Sequence, residues 1–185
     1  MIYDFSLRTV GLAVGLILLL SHLFALFAAE RVRPWLADFP RSRAVGIVLC
    51  TIAAAWAFWM AATMDLGEFT PNRTMICGAV LAGAILVPLF AEEFLAVRAL
   101  GILALLAAEP LLDAAFLRPE QSRILLVLLA YLWAVGGLVL VGAPYLLRDL
   151  LDWVRAEPWR YPAVAWAGVA YGALLVVVSL LFFAA

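Results

Sequence analysis

The sequence predicts an all-α bundle of transmembrane helices, with about six spans and a single transmembrane domain over residues 1–185. Two observations lead to this prediction. Only 14% of the residues are charged and 68% are hydrophobic, whereas a water-soluble domain usually has about 25% charged residues. The apolar residues also form runs of roughly 20, the length that an α-helix needs to cross a bilayer core about 30 Å thick. No segment is left over for a soluble domain.

Six apolar runs are expected to form the transmembrane helices. They cover residues 8–29, 44–64, 74–90, 94–117, 124–147 and 163–183. Helices are predicted rather than barrel strands because none of the runs shows the alternation of period two that a barrel strand requires. The first run is longer than the core of a signal peptide, about 7 to 15 residues, so it is interpreted as a retained helix.

The third and fourth runs leave the number of crossings open. The third is short and passes through Pro88 into Glu92 and Glu93, which are interpreted as boundary residues at a turn. If the two runs form a broken, re-entrant hairpin, the bundle has five spans, because such backbone is tolerated where protein or water covers it. If each run crosses the membrane, the bundle has six.

Arginine residues predict how the bundle is oriented. All 12 basic residues are arginine, and they are concentrated in two segments, 30–43 and 148–162. Segments rich in arginine usually face the cytoplasm. Six crossings then place both termini outside, and we expect the membrane to be a bacterial inner membrane.

The second of these segments begins with an amphipathic stretch. Leu147, Leu150, Leu151 and Val154 repeat with helical spacing, and charged residues occupy the other side. We expect this stretch to lie at the membrane surface and to extend the fifth helix until Pro158 ends it.

The fourth run contains the main candidate functional residues, Arg98, Glu109 and Asp113. At 1.5 Å per residue, Glu109 lies about 6 Å from the middle of the span and Arg98 about 10 Å from it on the other side. Charges at this depth are costly and usually face the protein interior. Arg98 and Glu109 share a face but are too far apart to pair. Two interpretations remain: an ion or proton path or polar ligand site, and a buried clamp that fixes helix packing.

His22, the only histidine, lies in the first run. One histidine cannot supply both axial ligands of a bis-histidine haem or a histidine-rich metal site, and we predict no cofactor and no metal. The absence of lysine excludes Schiff-base chemistry. His22 is therefore interpreted as a packing residue, with proton relay as the alternative.

Glycine pairs with GxxxG spacing occur in the first and last runs. They are Gly11 with Gly15 and Gly168 with Gly172. Such pairs let helices approach closely. They predict tight packing without identifying which helices meet.

The sequence gives little support to an enzyme. The stretch from Glu92 to Arg98 is similar to the glutamate-pair-and-arginine motif of CAAX-type intramembrane metalloproteases, but its arginine is one residue too far along and no histidine follows His22. The nucleophile motif of rhomboid-type proteases and the paired aspartate motifs of prenyl transferases are also missing. No nucleophile and base can be assembled from one histidine and scattered carboxylates.

The preferred prediction is a non-catalytic accessory or assembly subunit of a membrane complex or homo-oligomer. Its basis is the scarcity of neutral hydrogen-bonding side chains, since the only asparagine and glutamine, Asn72 and Gln121, lie in loops. The alternative is a small ion, proton or solute transporter or channel that uses the charges of the fourth run. A net charge of −1 gives no basis for binding nucleic acid, so the expected partners are lipids and other membrane subunits.

Overall fold

The computed structural model describes residue 3, residues 5–90 and residues 93–183, and these residues contain eight α-helices and no strand. The helices are α1 (Leu7–Phe27), α2 (Ala29–Asp38), α3 (Arg43–Thr63), α4 (Arg73–Phe90), α5 (Leu95–Ala115), α6 (Ile124–Gly142), α7 (Tyr145–Ala156) and α8 (Arg160–Leu181). All except α2 and α7 are long and apolar enough to cross a membrane. The prediction of an all-α transmembrane bundle is confirmed.

The third and fourth runs form two separate helices, so the bundle has six candidate spans. α4 alone has 18 residues, within the range of about 17–25 that a crossing needs, and with the preceding 3₁₀ helix, Gly67–Asn72, it forms a candidate span of 24 residues. Phe94 then adopts a left-handed conformation with φ of 56° immediately before α5 begins. Glu93 is exposed at this turn, and Glu92 lies outside the described residues.

The fifth transmembrane helix ends earlier than the sequence pattern predicts. α6 stops at Gly142, and the amphipathic stretch forms the separate helix α7, so the prediction of one helix continuing to Pro158 is wrong. The physical reason is Pro144, which lacks a backbone N–H and disfavours helical geometry at the residue before it. Ala143 accordingly leaves the helix, with φ of −132° and ψ of 66°.

Serine residues begin two of the spans. The Ser6 hydroxyl accepts a hydrogen bond from the Thr9 amide at 3.1 Å, and the Ser42 hydroxyl accepts one from the Val45 amide at 3.3 Å. Each bond satisfies one of the four amides that the first turn of a helix leaves unpaired. Such capping is important where a helix enters the apolar core, because unpaired amides are costly there.

The helices pack as two close pairs. α1 lies along α8 and α5 lies along α6, while α5 also packs against α3. Leu7, Leu111, Leu126 and Leu175 contribute one side chain from each of α1, α5, α6 and α8 to the main buried core. α4 packs mainly against α3 and has no buried residue, so it lies at the edge of the bundle.

Six crossings place the loops on two faces of the bundle. The arginine-rich face comprises residues 28–42 and 143–159, including α2 and α7. The terminal face comprises residues 64–72 and 116–123 and the described ends of the chain. These names are used below.

Candidate functional site

The glycine pairs of α1 and α8 face each other. A β-carbon at Gly172 would lie 2.6 Å from the Leu19 nitrogen and 2.9 Å from the Gly15 oxygen. One at Gly11 would collide with the Ser179 hydroxyl. Because these distances are shorter than van der Waals contact, the close approach of the two helices depends on glycine at these positions.

The His22 ring lies over Gly168, between α1 and α8. Its Nδ1 is 2.8 Å from the Leu18 carbonyl oxygen and 3.3 Å from the Ser21 hydroxyl. A β-carbon at Gly168 would collide with the ring, so the histidine occupies space that the missing side chain leaves free. This geometry favours the packing interpretation of His22.

A second glycine contact, not identified from the sequence, joins α5 to α6. A β-carbon at Gly101 would lie 2.8 Å from the Gly137 oxygen, and one at Gly137 would lie 2.7 Å from the Gly101 oxygen. Neither glycine belongs to a GxxxG pair. The only sequence signal was a glycine within an apolar run.

Glu109 and Asp113 line the same cavity, which has a volume of about 490 Å³. They lie one helical turn apart in the half of α5 nearer the terminal face. The other lining side chains are apolar and include Leu105 of α5, Phe116 directly after α5 and Ala134 of α6. The Oε2 atom of Glu109 and the Oδ2 atom of Asp113 are buried, and neither has a hydrogen-bond partner among the described residues.

Two arginines near the terminal face bind backbone carbonyls instead of these carboxylates. Arg73 donates hydrogen bonds to the Ala62 oxygen and, at 2.7 Å, to the Met64 oxygen, at the end of α3. Arg123 donates to the Ala115 oxygen at 3.1 Å, at the end of α5. Both arginines therefore satisfy helix ends, and the carboxylate pair has no cationic partner within the part of the chain that the structure describes.

Tyr3, in the segment before α1, contacts two tryptophans of α3. The Trp56 indole donates a hydrogen bond of 2.5 Å to the Tyr3 hydroxyl, and the Tyr3 ring lies 5.6 Å from the Trp59 ring. Burial raises the pKa of Tyr3 above 10.0, the Trp56 hydrogen bond opposes this, and the negative charge of Glu109 raises the pKa further.

Arg98 lies far from the carboxylates although it shares their helix. It occupies the first turn of α5, 11 residues before Glu109, which corresponds to about 17 Å along the axis. Its Nε atom is buried and has no partner among the described residues. Arg98 and His22 do not line the cavity at Glu109, so the structure brings together only two of the four candidate side chains.

A pair of carboxylates one turn apart is suited to binding a cationic group. Ionised carboxylates form charge-assisted hydrogen bonds, and a guanidinium can bridge two oxygens at once. Among the described residues, no group of three or more histidine, cysteine, aspartate or glutamate side chains is placed to hold a metal ion.

Comparisons of the chain with protein-family models, with curated protein sequences and with solved structures found no match. The six apolar helices are those of an integral membrane protein. Its more specific role has to be argued from the cavity at Glu109 and Asp113.

Proposed function

We propose that this chain is a non-catalytic subunit of a membrane complex, in which the cavity at Glu109 and Asp113 receives a cationic side chain from a neighbouring protein. The observation that supports this most is the pair of buried carboxylate oxygens without a partner among the described residues. A charged carboxylate near the middle of a span costs about 2.5–3.5 kcal/mol on insertion scales. A cationic partner within the membrane would offset that cost.

The position of the cavity favours docking from the side of the bundle. Its lining residues lie between Leu105 of α5 and Phe116 directly after it, together with Ala134 of α6, so it spans only one half of the helix. A path through the membrane would have to connect both faces. Arg98, the charged residue in the other half of α5, lies outside this cavity.

A different protein is a better source of the cation than a second copy of this chain. Two copies in the same orientation hold corresponding residues at the same depth. Arg98 of a second copy would therefore lie about 17 Å from the depth of Glu109. Arg118, exposed on the terminal face two residues after Phe116, is the arginine through which a second copy could reach the cavity. We favour a heteromeric complex, and we propose a bacterial inner membrane with the arginine-rich face in the cytoplasm.

Native purification of matched variants tests this proposal. Wild type, Glu109→Gln and Glu68→Gln are purified in mild detergent, and the proteins bound to each are quantified by mass spectrometry. Glu68 is exposed in the 3₁₀ helix Gly67–Asn72 on the terminal face, so E68Q makes the same chemical change away from the cavity. We expect wild type and E68Q to retain a stoichiometric partner that has an arginine, lysine or histidine within a span, and E109Q to lose most of it.

Two results would overturn the proposal. A wild-type chain that purifies as a monomer without partners is not a stable subunit. A partner retained equally by E109Q and E68Q does not depend on the carboxylate.

A second candidate function, a cation or proton carrier, is favoured by the same unpartnered carboxylates. The discriminating experiment is a flux measurement in proteoliposomes that contain the chain alone. Cation or proton flux that is abolished in E109Q and unchanged in E68Q would favour the carrier over the subunit. Absence of flux in wild type would count against the carrier.

A further inference from the structure

The arginines on the arginine-rich face differ in how their charge is balanced. Arg148 pairs with Asp149 at 2.7 Å, and Arg155 pairs with Asp152 at 3.4 Å. These four side chains lie on the polar side of α7. Their charges are balanced within the helix.

Arg31, Arg33 and Arg160 are three further arginines at this end of the bundle, and none of them has a carboxylate within 4 Å among the described residues. The Arg33 guanidinium lies over the Tyr161 ring, 4.5 Å from its centroid. The Arg160 guanidinium lies 4.5 Å from the centroid of the Trp153 ring and donates a hydrogen bond to the Trp153 oxygen. Aromatic rings hold these cations in place without cancelling their net charge.

Two adjoining apolar cavities lie beside these arginines, between α2 and α7 and the adjacent ends of α1 and α8. They have volumes of about 460 Å³ and 340 Å³ and share the lining residues Ser21, Ala25 and Val32. Arg31 lines the larger cavity, and Tyr161, which carries Arg33 on its ring, lines the smaller one. Guanidinium groups without an ion-pair partner among the described residues therefore border an apolar space.

Tryptophan side chains mark the depth of these cavities. Trp35 lines the larger cavity and Trp153 the smaller one, and both are about half exposed. Tryptophan concentrates at the level of the lipid headgroups, where its ring contacts both apolar and polar surroundings. The cavities thus lie where a lipid headgroup meets its acyl chains.

We propose that this region, the lipid groove formed by the two cavities and Arg31, Arg33 and Arg160, binds an anionic phospholipid. The lipid phosphate lies among the three arginines, and an acyl chain occupies the apolar cavities. Basic pockets between transmembrane helices bind anionic headgroups in this way. A zwitterionic lipid has no net charge to balance three cations, and a soluble anion leaves the apolar space unfilled.

Lipid titration of the purified chain in a neutral detergent tests the proposal. Binding of phosphatidylglycerol and of phosphatidylcholine with the same acyl chains is measured by native mass spectrometry. We expect wild type to prefer phosphatidylglycerol, and Arg31→Gln with Arg33→Gln to weaken its binding roughly fivefold for each arginine removed. Arg118→Gln is the matched control, because Arg118 is exposed on the terminal face; its binding should equal that of wild type.

Measurements on wild type alone provide an independent test if the double variant does not fold. Phosphatidylglycerol binding should weaken with added salt, whereas phosphatidylcholine binding should not. Inorganic phosphate should not displace the lipid. Equal affinity for the two lipids, a double variant that matches R118Q, or displacement by inorganic phosphate alone would each overturn the proposal. None of these results depends on the cavity at Glu109, so the two proposals can fail separately.

Discussion

The α1–α8 pair and α5 both carry polar side chains within the membrane, but only the α1–α8 pair packs its polar side chain closely against the rest of the chain. His22 fills the space beside Gly168 and lies within hydrogen-bonding distance of the Leu18 carbonyl oxygen. Glu109 and Asp113 open into a cavity, where each has a buried oxygen without a described partner. A polar residue in a span is therefore not by itself a functional site. A candidate site is distinguished by a polar group that has no hydrogen-bond or ionic partner within the same chain.

The largest effect is expected where the α1–α8 contact is closest. Gly172→Val would place side-chain atoms against the Leu19 nitrogen and the Gly15 oxygen, both of which are backbone atoms that cannot rotate away. We expect the free energy of unfolding to fall by about 3 kcal/mol, the upper end for overpacking. Thermal unfolding in detergent measures the change. Gly78→Val is the control, because a β-carbon there meets nothing within 4 Å; equal losses in both variants would contradict the packing account.

Removing the charge at Glu109 should raise the free energy of unfolding, whereas Gly172→Val should lower it. Glu109→Gln replaces a carboxylate that has a buried oxygen without a partner among the described residues with a neutral amide, so we expect the isolated chain to gain about 2 kcal/mol of stability. Glu68→Gln should change the stability little, because Glu68 is exposed. The same thermal assay applies. A loss of stability in E109Q would indicate that the carboxylate is satisfied within the chain, as the clamp interpretation requires.

The contact between His22 and Gly168 should appear as a coupling energy. Gly168→Ala should destabilise the wild-type chain because the new β-carbon meets the imidazole ring, and it should be tolerated when His22→Ala has removed that ring. We expect a favourable coupling of about 1 kcal/mol in a double-mutant cycle. Additive effects would show that His22 does not occupy this space.

The smallest effect is expected at Tyr3. Its pKa is raised above 10.0, so the folded chain holds the phenolic proton to a higher pH than the unfolded chain does. The stability contributed by Tyr3 is therefore present below pH 10 and decreases as the pH rises past that value. Tyr3→Phe should lose less stability between about pH 9 and about pH 11 than wild type does. Tyr145→Phe, at an exposed position, should follow wild type.

Hydropathy predicted the spans because crossing a bilayer demands a long apolar run whatever its neighbours are. The end of the fifth helix was not predicted correctly, since the apolar pattern continues past Pro144 while the backbone cannot remain helical at Ala143. Local pattern also could not decide whether α4 and α5 cross separately. That depended on the end of α4 at Phe90 and on the left-handed turn at Phe94, from which α5 starts as a separate helix.

Only the features of the candidate site that follow from spacing along one helix were predictable from the sequence. Helical spacing placed Glu109 and Asp113 on neighbouring turns and separated them from Arg98. It did not reveal that Gly101 meets Gly137, or that the Arg33 guanidinium lies over the Tyr161 ring, because both contacts join distant parts of the chain. The division between satisfied and unsatisfied polar groups follows from such long-range packing.

Site-specific photocrosslinking in native membranes tests the central claim most directly. A photoreactive residue is placed at Phe116, beside the carboxylate cavity, or at Leu89 on α4; the two positions are exposed to similar extents, 57% and 58%. If a neighbouring protein places a cationic side chain in the cavity, we expect one discrete adduct from Phe116. The crosslinked span of that protein should contain a cationic residue, and the adduct should be lost in Glu109→Gln. Absence of an adduct at Phe116, or the same adduct from Leu89 or in E109Q, would contradict it.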